Sequence, residues 1–225
     1  MDKKLWNLQI GNYRKGRRNS ITDVKGIKVG HVTYDDGDKK TGVTAIVPHD
    51  GNIFQEKLIA ASHVINGFGK SVGLIQIQEL GTLETPIILS NTLAVGKAVD
   101  GLVSYMLDTN SDIGDTTGTV NPVVCECNDS RLNNIRDLFL GREDVYKAIE
   151  NASEYFEEGA VGAGTGMVCY NLKGGIGSSS RLVDVDGKEY VIGVLSLTNL
   201  GRLENLIIDS NPVGKMINEK ENKEK

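Results

Sequence analysis

The chain has 225 residues, 25 Lys plus Arg against 30 Asp plus Glu, a net charge of −5, 39% hydrophobic and 24% charged residues, which suits one full core or two small ones. A pI near 5.3 and an aromatic content of 5% argue against a nucleic-acid partner. No apolar run approaches the ~20 residues of a membrane span, and the N-terminus MDKKLWNLQIGNYRKG holds no stretch of signal-peptide length.

Residues 1–20 read as a loose lead-in, with Lys15-Gly16-Arg17-Arg18 a solvated loop. ITDVKGIKVGHVT (21–33) alternates apolar and polar residues and predicts strand, as does TGVTAIVP (41–48), stopped by Pro48. Leu58, Ala61, Val64, Ile65 and Phe68 fall at helical spacing and predict a helix over 54–68, closed by Gly67 and Gly69. SVGLIQIQEL then alternates like a strand. Pro86–Ser90 predicts a short strand, and Asn91-Thr92 a cap for a helix from Leu93 to Leu107. NPVVCECND (121–129) reads as a strand, with Asp129 or Ser130 capping a short helix that carries Leu132, Ile135 and Phe139. Val145, Ala148, Ile149, Ala152 and Phe156 make one helical stripe, ended by Gly159.

The densest signal is GAVGAGTGMVCYNLKGGIGSSSR (159–181), followed by YVIGVLSLTNLGR (190–202). Glycines at this density allow backbone to approach backbone or ligand where a Cβ would clash. Gly162-x-Gly164-x-Gly166 follows a helix, so it does not fit a dinucleotide fingerprint, which follows a strand, and no Walker Lys-Ser pair is present. Ser178-Ser179-Ser180 reads as a polar turn, no GxSxG elbow occurs, and His31, His49 and His63 have no ligand spacing. The three cysteines, Cys125, Cys127 and Cys169, read as reduced thiols of a cytoplasmic protein, and no metal or organic cofactor is expected. Glu126, mid-strand, faces away from both neighbouring thiols by period-2 alternation. It reads either as one half of a salt bridge or as an anion for a substrate amine. Asn199, at a strand mouth, reads either as a turn residue or as an oxyanion donor. No activated nucleophile is visible. From Lys215 the run KMINEKENKEK has little to bury and is expected to be disordered, leaving one domain over 1–214.

Blocks along nearly the whole chain together resemble the α subunit of the DmpA-type aminopeptidases, also called L-aminopeptidase/D-esterase or β-aminopeptidase proteins. They are TDVKGIKVGHVT (22–33), TGVTAIVPHDGN (41–52), VINGFGKSVGL (64–74), ELGTLETPIILSNTLAVG (79–96), NPVVCECND (121–129), VGAGTGMVCYNLKGGIGSSSR (161–181), VLSLTNLGR (194–202) and NPVG (211–214). The resemblance implies an α+β fold, an αββα sandwich of the DmpA and ornithine acetyltransferase type, similar to Ntn hydrolases. It implies a self-cut precursor whose smaller β subunit starts with the Ser or Thr nucleophile, and tetramers of αβ units acting on small peptides, amides or esters. On this resemblance Asn199 is the catalytic oxyanion donor and Glu126 meets the substrate amine. Asn91, Asn128 and Arg131 are the other substrate-binding candidates. Arg131 stands where the family has an active-site tyrosine, and a guanidinium cannot act as a phenolic acid or base. Leu93-Ala94 replaces the family His-Ser. The alternatives are an ornithine acetyltransferase-like enzyme, a nylon-oligomer-type hydrolase of the same fold, or a non-catalytic binding protein that retains it.

Overall fold

The computed structural model describes residues 10–223; the first part of the expected lead-in lies outside them. Strands β1 (Lys28–Asp36), β2 (Lys39–Val47), β5 (Ile87–Ser90) and β6 (Val123–Glu126) form one sheet in the order β1-β2-β5-β6. The first three run antiparallel, and β5 and β6 are parallel. Helix α2 (Val95–Thr109) makes the crossover between the parallel pair, and α3 (Arg142–Glu150) packs beside it. Val43, Ala45, Ile88, Val124, Leu102, Met106 and Val145 fill the layer between this sheet and these helices.

The second face of the sheet is covered by the glycine-dense run. β2 is buried on both sides, so it reads as a continuous buried run from Thr41 to Ala45. Thr44 accepts from Ala163 N at 3.1 Å, and Thr33 Oγ1 from Gly162 N at 2.8 Å. Thr44 Oγ1 also lies 2.9 Å from His31 Nδ1, while His31 Nε2 lies 3.1 Å from the Glu157 carbonyl. These contacts are satisfied together by one tautomer, in which Nε2–H donates to the carbonyl and Nδ1 accepts from the threonine. Burial lowers the His31 pKa, which keeps the ring neutral. The Lys173 ammonium ties the run together, donating to the carbonyls of Gly164 (3.2 Å), Met167 (3.2 Å) and Gly174 (2.6 Å).

The run leads through short strands β7 (Val168–Cys169) and β8 (Leu172–Lys173) into the hairpin of β9 (Ile176–Val185) and β10 (Lys188–Leu197). Leu89 and Cys125 of the sheet meet Ile176, Leu195 and Leu197 of the hairpin in a second, smaller core. The chain therefore stacks helices, sheet and hairpin. Among the described residues the outward face of the hairpin has no helical layer, and Ile192 and Val194 there are each 53% exposed. The αββα expectation is met by three of its four layers.

Several expected elements differ. Residues 54–68 form no helix. Asn52 Oδ1 accepts from Phe54 N (3.0 Å) and Gln55 N (3.3 Å), making a side-chain turn, and Leu58–Ile59 (β3) pairs with Thr82–Leu83 (β4). The apolar stripe that predicted a helix faces no core among the described residues, since Val64, Ile65 and Phe68 are exposed. The alternating run after it is helical, α1 (Leu74–Leu80), framed by Gly73 and Gly81 at φ 89° and 66°. Thr22 belongs to a 3-10 turn, Ile21–Asp23, whose N-H groups Ser20 and Asp23 cap. Asp129 starts a turn and a 3-10 stretch (Ile135–Asp137) rather than a helix, and α3 stops at Glu150, well short of Gly159. Ser178–Ser180 lie inside β9. The charged tail, expected disordered, continues as helix α4 (Val213–Lys223), which packs on the 3-10 turn Leu203–Asn205.

Candidate active site

The C-terminal end of β6 delivers Glu126 to a cavity of about 250 Å³, walled by Asn66, Phe68, Lys70, Thr92, Cys127, Asn128 and Asn199. This is the outer end of the parallel β5–β6 pair, where open α/β sheets place ligands. Glu126 Oε1 accepts from the Lys70 backbone N at 3.1 Å, and Oε2 accepts from the Thr92 hydroxyl. A carboxylate offers about four lone-pair sites, so these contacts fix it and leave capacity for an ammonium. Gly69 lies beside the carboxylate, and a Cβ there would sit 3.4 Å from Glu126 Oε1, an ordinary contact.

Asn199 leaves β10 and donates from Nδ2 to the Asn128 carbonyl at 3.0 Å. A primary amide has two N–H groups, so this bond orients Nδ2 and leaves the second N–H available on a residue that lines the cavity. The loop is braced behind by Tyr170, whose N donates to Leu200 O at 2.7 Å and whose ring lies against Gly201 (φ 81°).

Asn91 does not line this cavity. It is buried, its Oδ1 accepts from Leu93 N (3.1 Å) and Ala94 N (3.0 Å), and its Nδ2 donates to Thr41 Oγ1 at 3.0 Å. With both ends of the amide engaged, it closes a side-chain turn just ahead of α2 rather than capping the helix, whose N-cap is Ala94 without a side-chain bond. Arg131 lies outside as well, in an adjoining groove of about 480 Å³ with Asn171, Gly201, Arg202, Leu203, Glu204 and Asn218.

Cys127 was expected opposite Glu126, but β6 ends at Glu126 and the chain turns, so both reach the cavity. Burial, then the charges of Glu126 and Asp129, push the Cys127 thiol up to about 12, so it is not a thiolate nucleophile at neutral pH. Thr92 and the Asn66–Lys70 wall escaped the sequence reading. Thr92 sits in the quoted Ser-Asn-Thr block, where it reads as a cap, and Gly67 and Gly69 read as a helix end although they belong to a loop that passes Glu126. Beneath the cavity Asp129 is buried. Its Oδ1 accepts from Asn133 Nδ2 at 3.0 Å, its Oδ2 has no hydrogen-bond partner among the described residues, and desolvation raises its pKa against bonds from Thr41 and Asn133.

Residues 19–225 match Peptidase family S58. The chain is 35% identical over 211 residues to the β-peptidyl aminopeptidase BapA of Sphingosinicella microcystinivorans, covering 89% of this chain and 52% of that protein. The BapA of Sphingosinicella xenopeptidilytica is 36% identical over 212 residues, again covering 52% of that protein. This chain thus spans about half the length of the curated relatives it matches. Among solved structures, a Pyrococcus horikoshii OT3 protein superposes with a TM-score of 0.93 at 56% identity, covering 97% of this chain and 64% of that one. A β-aminopeptidase from Burkholderia sp. gives 0.90 at 37%, covering 97% and 63%. The L-aminopeptidase D-Ala-esterase/amidase of Ochrobactrum anthropi, a variant of the Ntn hydrolase fold, gives 0.85 at 34%, covering 92% and 60%. A match over nearly the whole chain, with these blocks in order and the same sandwich, places the chain in Peptidase family S58, among the DmpA-type aminopeptidases.

Proposed function

We propose that this chain is the larger subunit of a self-processed N-terminal-nucleophile hydrolase that releases N-terminal residues from small peptides, amides or esters. The observation that carries the reading is one cavity holding both Glu126, fixed by Lys70 N and Thr92, and Asn199, an amide with one N–H still available. Glu126 holds the substrate ammonium. The nucleophile is the Ser or Thr hydroxyl that begins a smaller partner chain. Its own α-amine takes the hydroxyl proton as the oxygen attacks the scissile carbonyl. The carbonyl oxygen becomes an oxyanion and accepts from the free N–H of Asn199, a donor worth roughly 3–4 kcal/mol in the transition state. The α-ammonium returns the proton to the leaving amine, and water cleaves the acyl-enzyme by the same route in reverse.

The names of the relatives support the substrate class. The exposed apolar face of β10 supports a partner chain, because such a face and a free ladder edge invite further protein. An assembly of αβ pairs, with a tetramer favoured, and a reducing, cytoplasmic setting for the three thiols complete the proposal. Among the described residues, no helix is long and apolar enough to cross a membrane.

Intact-mass spectrometry on protein expressed from the full reading frame tests this. The expected result is two masses, the smaller chain beginning with Ser or Thr. One uncut chain without hydrolytic activity overturns it.

A further inference from the structure

The groove beside the cavity is built from segments that the Asn199–Asn128 hydrogen bond locks together. Arg131 follows Asn128 on one segment and Arg202 follows Asn199 on the other, each at the same spacing in sequence. Both arginines line the groove, and neither guanidinium makes an ion pair or hydrogen bond among the described residues. Asn171, in a turn where it and Tyr170 both have positive φ (61° and 52°), brings an amide from a third side. Glu204 is the one carboxylate in the lining, so the side chains there carry a net positive charge.

Along the two bonded segments the groups run in one order: from the Glu126 carboxylate to the Arg131 guanidinium on one, and from the Asn199 amide to the Arg202 guanidinium on the other. A short peptide zwitterion has the complementary order: ammonium, scissile carbonyl, carboxylate. Guanidinium is the side chain best shaped for a carboxylate, through paired N–H donors. We propose that the Arg131–Arg202 groove is a carboxylate subsite that selects short peptides with a free C-terminus, such as dipeptides, over blocked amides and esters. The inference rests on the aminopeptidase reading and narrows its substrate class. Because the carboxylate lies away from the reacting carbonyl, its binding persists through the reaction and enters KM rather than kcat.

The test uses mature protein from the full reading frame and matched substrates, alanyl-leucine and its C-terminal amide, in α- and β-alanyl forms. The expected kcat/KM ratio of acid to amide is about tenfold or more. Arg131→Ala and Arg202→Ala should each shrink it through KM, with Arg131→Lys retaining part of it. Glu204→Gln should enlarge it. Intact-mass and circular dichroism measurements on each variant separate misfolding or failed maturation from lost recognition. A wild-type ratio near one, or a ratio unchanged in both alanine variants, overturns the subsite while leaving the hydrolase reading in place. Failure of fully matured enzyme to cleave either substrate form overturns the hydrolase reading and the subsite with it.

Discussion

The two faces of the β9–β10 hairpin are built from the same alternating sequence yet end in opposite environments. Leu195 and Leu197 point inward and pack with Ile176 and Ala163 beneath the sheet. Tyr190, Ile192 and Val194 point outward and remain exposed. The glycine-dense run beside the inward face is closed by backbone bonds and near contacts. An alternating strand whose two faces are both apolar is built to be covered twice, and the described residues cover it once. The contrast separates what the chain completes alone from what it leaves to the rest of the protein.

Breaking the closed side should have the largest effect. Gly159 N donates to Ile176 O at 2.7 Å and Ile176 N to Gly159 O at 2.8 Å. A Cβ on Gly175 would stand 2.0 Å from Gly159 O and 2.3 Å from its carbonyl carbon. Backbone cannot yield as a side-chain tip can. Gly175→Ala should therefore cost about 3 kcal/mol, the upper end for overpacking, read as a fall in urea midpoint of the mature protein. An unchanged midpoint would mean that the run is looser than its hydrogen bonds imply.

A smaller effect is expected below the cavity. Desolvation leads the causes that raise the Asp129 pKa, so folding favours its neutral form. As pH climbs from the unfolded carboxyl value near ~3.9 through the raised folded value, the wild type loses stability, and above the folded value the loss is constant. Asp129→Asn keeps an oxygen that accepts from Asn133 Nδ2 and removes the charge. Its stability relative to wild type should thus rise across that window, by about 1–2 kcal/mol for one poorly satisfied buried group. Urea melts at stepped pH read this directly, and parallel curves would show that Asp129 ionises freely in place.

Much of the frame was legible in the sequence, and the misses share a cause. β2, β5, β6 and β10 were visible because continuous apolar or alternating runs are bounded by Pro, Asn or Gly. The stretch from 54 to 80 was inverted, helix for strand, because periodicity reports a face only where a core exists to receive it. Phe68 and Ile65 have none within this chain, while seven residues between two left-handed glycines suffice for a helix turn that buries only Ile77. Glu126 and Asn199, which line one cavity, were singled out through the family blocks. Thr92 and Lys70 N were not, since a hydroxyl in a cap and a backbone N–H leave no mark of their own. Asn91 lies off the cavity for the same reason: its role in a turn and its nearness to the site are indistinguishable in one dimension. The charged tail was read by composition, which says nothing of the Leu203–Asn205 turn that α4 packs upon.

An effect of similar size concerns the open face, and it decides whether the contrast survives in the whole protein. Ile192 lies opposite Arg181 on the hairpin and is more than half exposed, at 53%. If the face stays bare in the mature protein, Ile192→Thr is a surface change on a strand, worth within about 0.5 kcal/mol. If a partner layer covers it, the same change removes buried apolar surface and inserts a hydroxyl, costing about 1–2 kcal/mol. The expected outcome is the larger value, because β10 also offers an unpaired ladder edge and such edges are ordinarily covered or blunted. Urea unfolding of mature Ile192→Thr, set beside wild type, separates these cases. A change within error would mean the exposed stripe is solvent-facing by design. The argument for a partner over the hairpin would then fall, while the site formed by Glu126 and Asn199 would stand on its own geometry.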